Sequence, residues 1–192
     1  MELHGPNGTF VAVTPNNQLE THATVSSQTH WYSAVTGEAY AFHAATDTLS
    51  TAKVAILYMK NTSTNLDLVV DWLEFQVIDN TAGLPSVAEF FDIDIGGTCT
   101  GGTATTVSNL NTGVANEAQA TVLDSTPTIS VAGTNIYKRF LHAAEGEPVR
   151  YDPDGGLILA PNGSMILSIT TDTGDGKAYC NGEIYFETQG AG

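Results

Sequence analysis

Short runs of apolar and β-branched residues recur along the whole chain, and Gly, Pro, Asn or Asp closes each one. Such runs fit the two-residue repeat of a half-buried strand, and the residues between them supply the reversals that antiparallel strands need. Residues 9–14 begin the series and stop at Pro15-Asn16-Asn17. Runs at 19–35, 38–45 and 53–60 follow, the last (KVAILYMK) apolar on both faces, as for a strand covered on both sides. The run at 66–78, LDLVVDWLEFQVI, is the longest. Its even positions carry Leu66, Leu68, Val70 and Trp72, and its odd positions Val69, Leu73, Phe75 and Val77. Length makes helix a competitor there, but β-branched and aromatic content favours strand, with Trp72 in the core. GGTCTGG at 96–102 reads as a loop. Weaker Thr-rich strands are expected at 103–110 and 121–131, and a firmer one at 135–143. Runs at 157–160 and 165–171 flank Pro161-Asn162-Gly163 and read as a hairpin. A final strand at 179–187 points Cys180, Ile184 and Phe186 inward and Asn181, Glu183 and Glu187 outward.

About ten strands with little helix predict an all-β fold, an antiparallel β-sandwich of jelly-roll type. No composition break or linker divides the 192 residues, so residues 18–192 are expected to form a single β-sandwich domain. Residues 1–17 read as an extended N-terminal arm, because Gly5-Pro6-Asn7-Gly8 is hard to place inside a sheet. A frayed terminus is the plainer alternative.

Six basic and 21 acidic residues give a net charge of −15. This balance argues against nucleic acid and against anionic membranes as partners, since both are bound by Lys and Arg. No run approaches the length of a membrane helix, and MELHGPNGTF has neither the basic nor the apolar region of a secretory signal. Synthesis in a cytosol is the expectation. Two cysteines, Cys99 and Cys180, make no disulfide framework and are expected as thiols, though a pairing stays open.

Few residues group in a way that suggests chemistry. His4, His22, His30, His43 and His142 are scattered, with no pair spaced for one metal. Asp92 and Asp94 share one face of a strand. Asp152 and Asp154 in DPDGG, and Asp172 and Asp175 in DTGDG, could serve Ca²⁺ in kind, but ordinary turns explain them better. Asp71 and Glu74 flank Trp72 and should point to opposite faces, which separates them as a glycosidase pair. There is no GxSxG, no phosphate-binding GxxxxGK[ST] and no activating context for a cysteine. No catalytic residue, cofactor or metal is therefore assigned. The candidate interface residues are Trp31 and Tyr32, and the cations Lys138, Arg139 and Arg150.

The stretch GLILAPNGSMILSITTDTGDG…NGEIYFET, over 156–188, resembles the closing strands of viral jelly-roll accessory proteins. TAKVAILYMKNTSTNLDLVVDWLEFQV resembles the paired long strands of the same group. The chain is similar in layout to the capsid decoration (cement, head-stabilising) proteins of tailed bacteriophages, particularly marine siphoviruses. That resemblance implies a virion structural protein, made in the host cytoplasm and added to the capsid surface. It also implies a homotrimer and the major capsid protein as partner. It carries over no site residue. A carbohydrate- or receptor-binding virion fibre or adhesion domain is the alternative, with Trp31, Tyr32 and Trp72 as its aromatic platform. A cupin-type or glycan-cleaving enzyme is a third reading, which needs clustered histidines or paired acids.

Overall fold

In the computed structural model, residues 31–46, 49–78, 89–141, 148–171 and 176–188 are described. The expected N-terminal arm and the strand at 9–14 lie outside them. The alternating runs build β1 (Ala39–Thr46), β2 (Val54–Asn61), β3 (Leu66–Ile78) and β4 (Glu89–Ile95). Short strands follow: β5 (Thr98–Thr100), β6 (Thr103–Ala104), β7 (Val107–Asn109), β8 (Ala120–Asp124) and β9 (Thr128–Val131). The chain closes with β10 (Thr134–Leu141), β11 (Val149–Tyr151), β12 (Leu157–Leu159), β13 (Ser164–Thr170) and β14 (Lys177–Thr188). One sheet runs β11-β3-β14-β1-β7, with β12 also on β3; the other runs β10-β4-β13-β2-β8-β6. All pairings are antiparallel. The molecule is an all-β antiparallel sandwich.

The core lies between the two sheets. Phe42, Leu68, Val70, Leu73, Phe75 and Ile184 from the first sheet meet Leu57, Met59, Phe91, Ile93, Leu167 and Ile169 from the second. The Phe75 and Phe91 rings meet at 4.1 Å between centroids. A second, smaller layer lies outside the second sheet, where the β5–β9 pair covers Ala55, Tyr58 and Ile166 with Cys99 and Ile129. This explains why β2 and β13 are apolar on both faces.

The structure corrects the sequence reading in four places. The inward face of β3 changes parity part-way: Leu68 and Val70 and then Leu73 and Phe75 point into the same core, while Val69 packs with Ala39 and Tyr185 on the other face. The register against β14 shifts there, with Trp72 opposite Glu183 and Val70 opposite Ile184, so Asp71 is an extra residue in a bulge. One added residue switches the inward parity from even to odd. Second, 157–160 and 165–171 form no hairpin. β12 pairs with β3 and β13 with β2 and β4, so Pro161-Asn162-Gly163 crosses between sheets. Buried Asn61 holds the crossing: its Nδ2 donates to the carbonyls of Leu66 and Leu159, each at 2.8 Å, and its backbone N–H to Gly163 at 2.9 Å. Third, residues 32–35, expected at the end of a strand, belong to a π-type helical turn, Tyr32–Thr36. Gly37 closes it with φ of 68°, a conformation that suits glycine. Fourth, the glycine-rich 96–102 loop contains β5, β11 lies where no strand was expected, β4 was implied by Asp92 and Asp94 but given no bounds, and the runs at 103–110 and 121–131 each divide in two, so fourteen strands are described rather than about ten.

Asn61→Ala leaves two buried carbonyls without their donors. An expected loss of about 2 kcal/mol follows, read from the denaturant midpoint against wild type.

Candidate functional site

The five candidate interface residues fall into two places. Tyr32 lies flat on Tyr185, with ring centroids 4.6 Å apart, and donates its hydroxyl to Glu187 Oε2 at 3.1 Å. It anchors the helical turn onto the outer face of the first sheet. Burial raises the pKa of Tyr32, and the Glu187 carboxylate adds to the rise, so the phenol stays a donor at neutral pH. Its neighbour Trp31 is 55% exposed. Val35 follows one turn on at 58% exposed. Leu110, at 39%, directly follows β7 and precedes Asn111, whose Nδ2 donates to Ser33 O at 2.9 Å. Trp31 and Val35 thus stand exposed on a turn fixed by hydrogen bonds, and Leu110 stands exposed just after β7.

The three cations border a seam at one side. Tyr137 of β10 and Tyr151 of β11 bring the edges of the two sheets together, 4.5 Å between ring centroids. Lys138 and Arg139 lie beside the first tyrosine and Arg150 beside the second. Lys138 Nζ is 3.7 Å from Asp92 Oδ1. Arg150 donates to Asp152 at 2.8 Å, and its guanidinium sits 4.5 Å over the Trp72 ring. Two of the three charges are therefore offset inside the chain, and exposed Arg139 is what remains of the basic patch. β10 pairs with β4 on one side and, among the described residues, ends its sheet on the other, and cations at such an edge discourage indiscriminate strand pairing.

Trp72 is half-buried on the outer face under Arg150, not in the core. The β3 bulge also puts Asp71 and Glu74 on that one face, where opposite faces were expected. Glu74 stands in a row with Arg150 and Asn181 across the sheet. Of the residues named for an aromatic platform, Trp72 and Tyr32 both lie on the outer face of the first sheet, Trp72 under Arg150 and Tyr32 stacked on Tyr185.

Asp92 and Asp94 share a face as expected, and both are buried. Lys53 Nζ reaches Asp94 Oδ2 at 2.5 Å and Asp92 Oδ2 at 3.6 Å. Asn135 Nδ2 donates to both, at 3.0 and 3.3 Å. An ammonium fills the place a cation would take. In DPDGG, Asp154 and Gly155 take φ of 54° and 76°, and Gly156 N–H donates to Pro153 O at 2.8 Å, which is turn geometry. Asp172 and Asp175, and every histidine but His43, lie outside the described residues. Among the described residues no three His, Cys, Asp or Glu side chains group as metal ligands, and no helix is long and apolar enough to cross a membrane. Cys99 and Cys180 are unpaired thiols on opposite sides of the second sheet. Burial pushes the Cys99 thiol up to about 11 and Cys180 higher still.

No protein-family model matches this chain, and no curated protein matches its sequence.

Proposed function

We propose that this chain is a non-enzymatic structural protein of a tailed-phage virion, which binds the outside of an assembled capsid as a homotrimer and stabilises it. The observation that carries the reading is the exposure of three large apolar side chains, Trp31 and Val35 on the helical turn and Leu110 just after β7. A monomer in water gains nothing by holding these side chains out on a hydrogen-bonded turn, and Trp is enriched where proteins meet. A second, unlike apolar patch lies beside the β10 edge, where Val131 is 56% and Ile136 43% exposed. Two different patches on one chain suit a heterologous contact, in which one copy's first patch meets the next copy's second. Such contacts close into a ring of three where the rotation between copies is a third of a turn, and run on as filaments where it does not close.

The strand order supports the jelly-roll reading. β11 and β12 pair with successive stretches of β3 and act as one interrupted strand. Eight long strands then run first-eighth-third-sixth in one sheet, counted from β1, and second-seventh-fourth-fifth in the other. This is an order of nested Greek keys. Residues 96–133 form an insertion that extends both sheets at the opposite side. Fold alone assigns no function, so the weight rests on the exposed patches and on the layout resemblance.

Sedimentation velocity at micromolar concentration tests the assembly. Wild type is expected near 60 kDa, three times the 20.2 kDa of one chain. Trp31→Ser with Val35→Ser should give 20.2 kDa with an unchanged circular dichroism spectrum. Each copy carries −15, so added salt should strengthen association by screening like charge. A wild-type monomer at every salt concentration, or a double variant of wild-type mass, would count against the reading.

A further inference from the structure

We infer that a groove beside the free part of β1 binds a neutral polyhydroxylated ligand, a sugar or short oligosaccharide. The groove has a volume of about 610 Å³, within the range of small-molecule sites. It opens where β7 stops pairing with β1, after Phe42, and the 103–106 segment approaches from the other sheet. His43, Thr103, Thr106, Ser108, Asp124 and Ser125 are among its lining residues. The inference is independent of the assembly reading.

The groove is held by a turn that costs the chain something. Ser125 and Thr126 both have positive φ, 56° and 57°, and neither is glycine. For a β-branched residue that conformation is an outlier, and it persists only where its surroundings over-determine it. Here they do. Ser125 N–H donates to Ala45 O at 2.9 Å, and Ala45 N–H donates to Asp124 Oδ2 at 3.2 Å. Ser125 Oγ donates to Asp124 Oδ1 at 3.1 Å. These bonds latch the turn to β1 and aim the carboxylate at the groove wall.

The lining selects the ligand class. Each Asp124 oxygen takes one protein donor, which leaves an acceptor site on each for a ligand hydroxyl. His43 Nδ1 lies 2.7 Å from Asn181 Oδ1. With its N–H donated to that amide oxygen, Nε2 is left as an acceptor. The hydroxyls of Thr103, Thr106 and Ser108 both donate and accept. Among the described residues no Lys or Arg lines the groove, and the chain is strongly acidic, so anions are disfavoured. One carboxylate and one imidazole are too few ligands to hold a hard cation. Ala41 and Ala104 offer small apolar surfaces to the C–H face of a ring. A neutral molecule with several hydroxyls satisfies all of these.

Saturation-transfer NMR tests the proposal with glucose, galactose, mannose and N-acetylglucosamine, each at millimolar concentration, and glucuronate as the anionic counterpart. The expected result is transfer to at least one neutral sugar and none to glucuronate. Asp124→Asn should weaken the signal at least tenfold. Thr106→Trp, at an exposed position away from the latch, should abolish it by filling the groove. The Trp31→Ser, Val35→Ser variant should keep it, which separates this site from the assembly surface. No transfer from any neutral sugar, or transfer that survives Thr106→Trp, would overturn the proposal.

Discussion

Phe75→Ala is expected to lower the stability of the protein by about 3–5 kcal/mol, the largest loss from any single substitution considered. Phe75 is fully buried at the middle of β3, and its ring meets Phe91 of the opposite sheet. Truncation removes the contact that spans the sandwich and leaves a cavity with rigid walls. Leu73, Cys180 and Ile93 around it are also fully buried and belong to strands paired on both sides, so they cannot collapse inward cheaply. Ile158→Ala is the matched control, since Ile158 is 48% exposed on β12. It should cost only a few tenths of a kcal/mol. Urea titration of both variants reads the difference. A Phe75→Ala loss no greater than the Ile158→Ala loss would mean that the two sheets do not pack as described.

Lys53→Met is expected to cost about 3 kcal/mol, although the lysine side chain is itself 38% exposed. The cost comes from what it leaves behind. Asp92 and Asp94 are 4% and 3% exposed, and Lys53 is the ammonium that touches both. Without it, Lys138 at 3.7 Å and one asparagine amide are left to serve two buried carboxylates. A buried charge that loses its partner is penalised far more than the intact pair is rewarded. The triple variant Lys53→Met, Asp92→Asn, Asp94→Asn should therefore recover much of the loss. Denaturation of wild type, single and triple variants reads both effects. A single variant as stable as wild type would show that water already solvates the cluster.

The long strands were legible because their alternation survives in single residues. β1, β2, β13 and β14 fall within a residue or two of where the pattern puts them, and Cys180, Ile184 and Phe186 point inward. What could not be read was whatever depends on a partner strand. The β3 bulge is visible only through its register with β14, so Trp72 was placed in the core and Asp71 and Glu74 on opposite faces. Pro161-Asn162-Gly163 has hairpin chemistry, yet Asn61, a hundred residues away, turns it into a crossing between sheets. The three-residue strands β5 and β11 are too short to show a period, and β4 was implied by its two aspartates without being bounded.

The candidate surfaces were legible in part. Trp31 stood out as an aromatic at a polar boundary. Val35 and Leu110 did not, because nothing in sequence brings position 110 to position 35. The cluster of cations at 138–150 was visible, but its internal offsets by Asp92 and Asp152 were not. The groove around Asp124 has no sequence signal: its walls come from β1, β7 and β8 and the segment before β7, and only the fold assembles them.

Binding to shells is the most direct test of the central proposal. If the chain belongs to a tailed phage as proposed, heads of that phage assembled without this protein would be mixed with it, pelleted, and heated while their disruption is followed. A decoration protein stabilises by binding the assembled shell and not its separated parts, which at a hundredfold excess over the dissociation constant is worth about 2.7 kcal/mol per site. The account predicts co-sedimentation that saturates at a multiple of three copies per symmetric position, with a higher disruption temperature. Protein that stays in the supernatant while the shells disrupt at an unchanged temperature would contradict it.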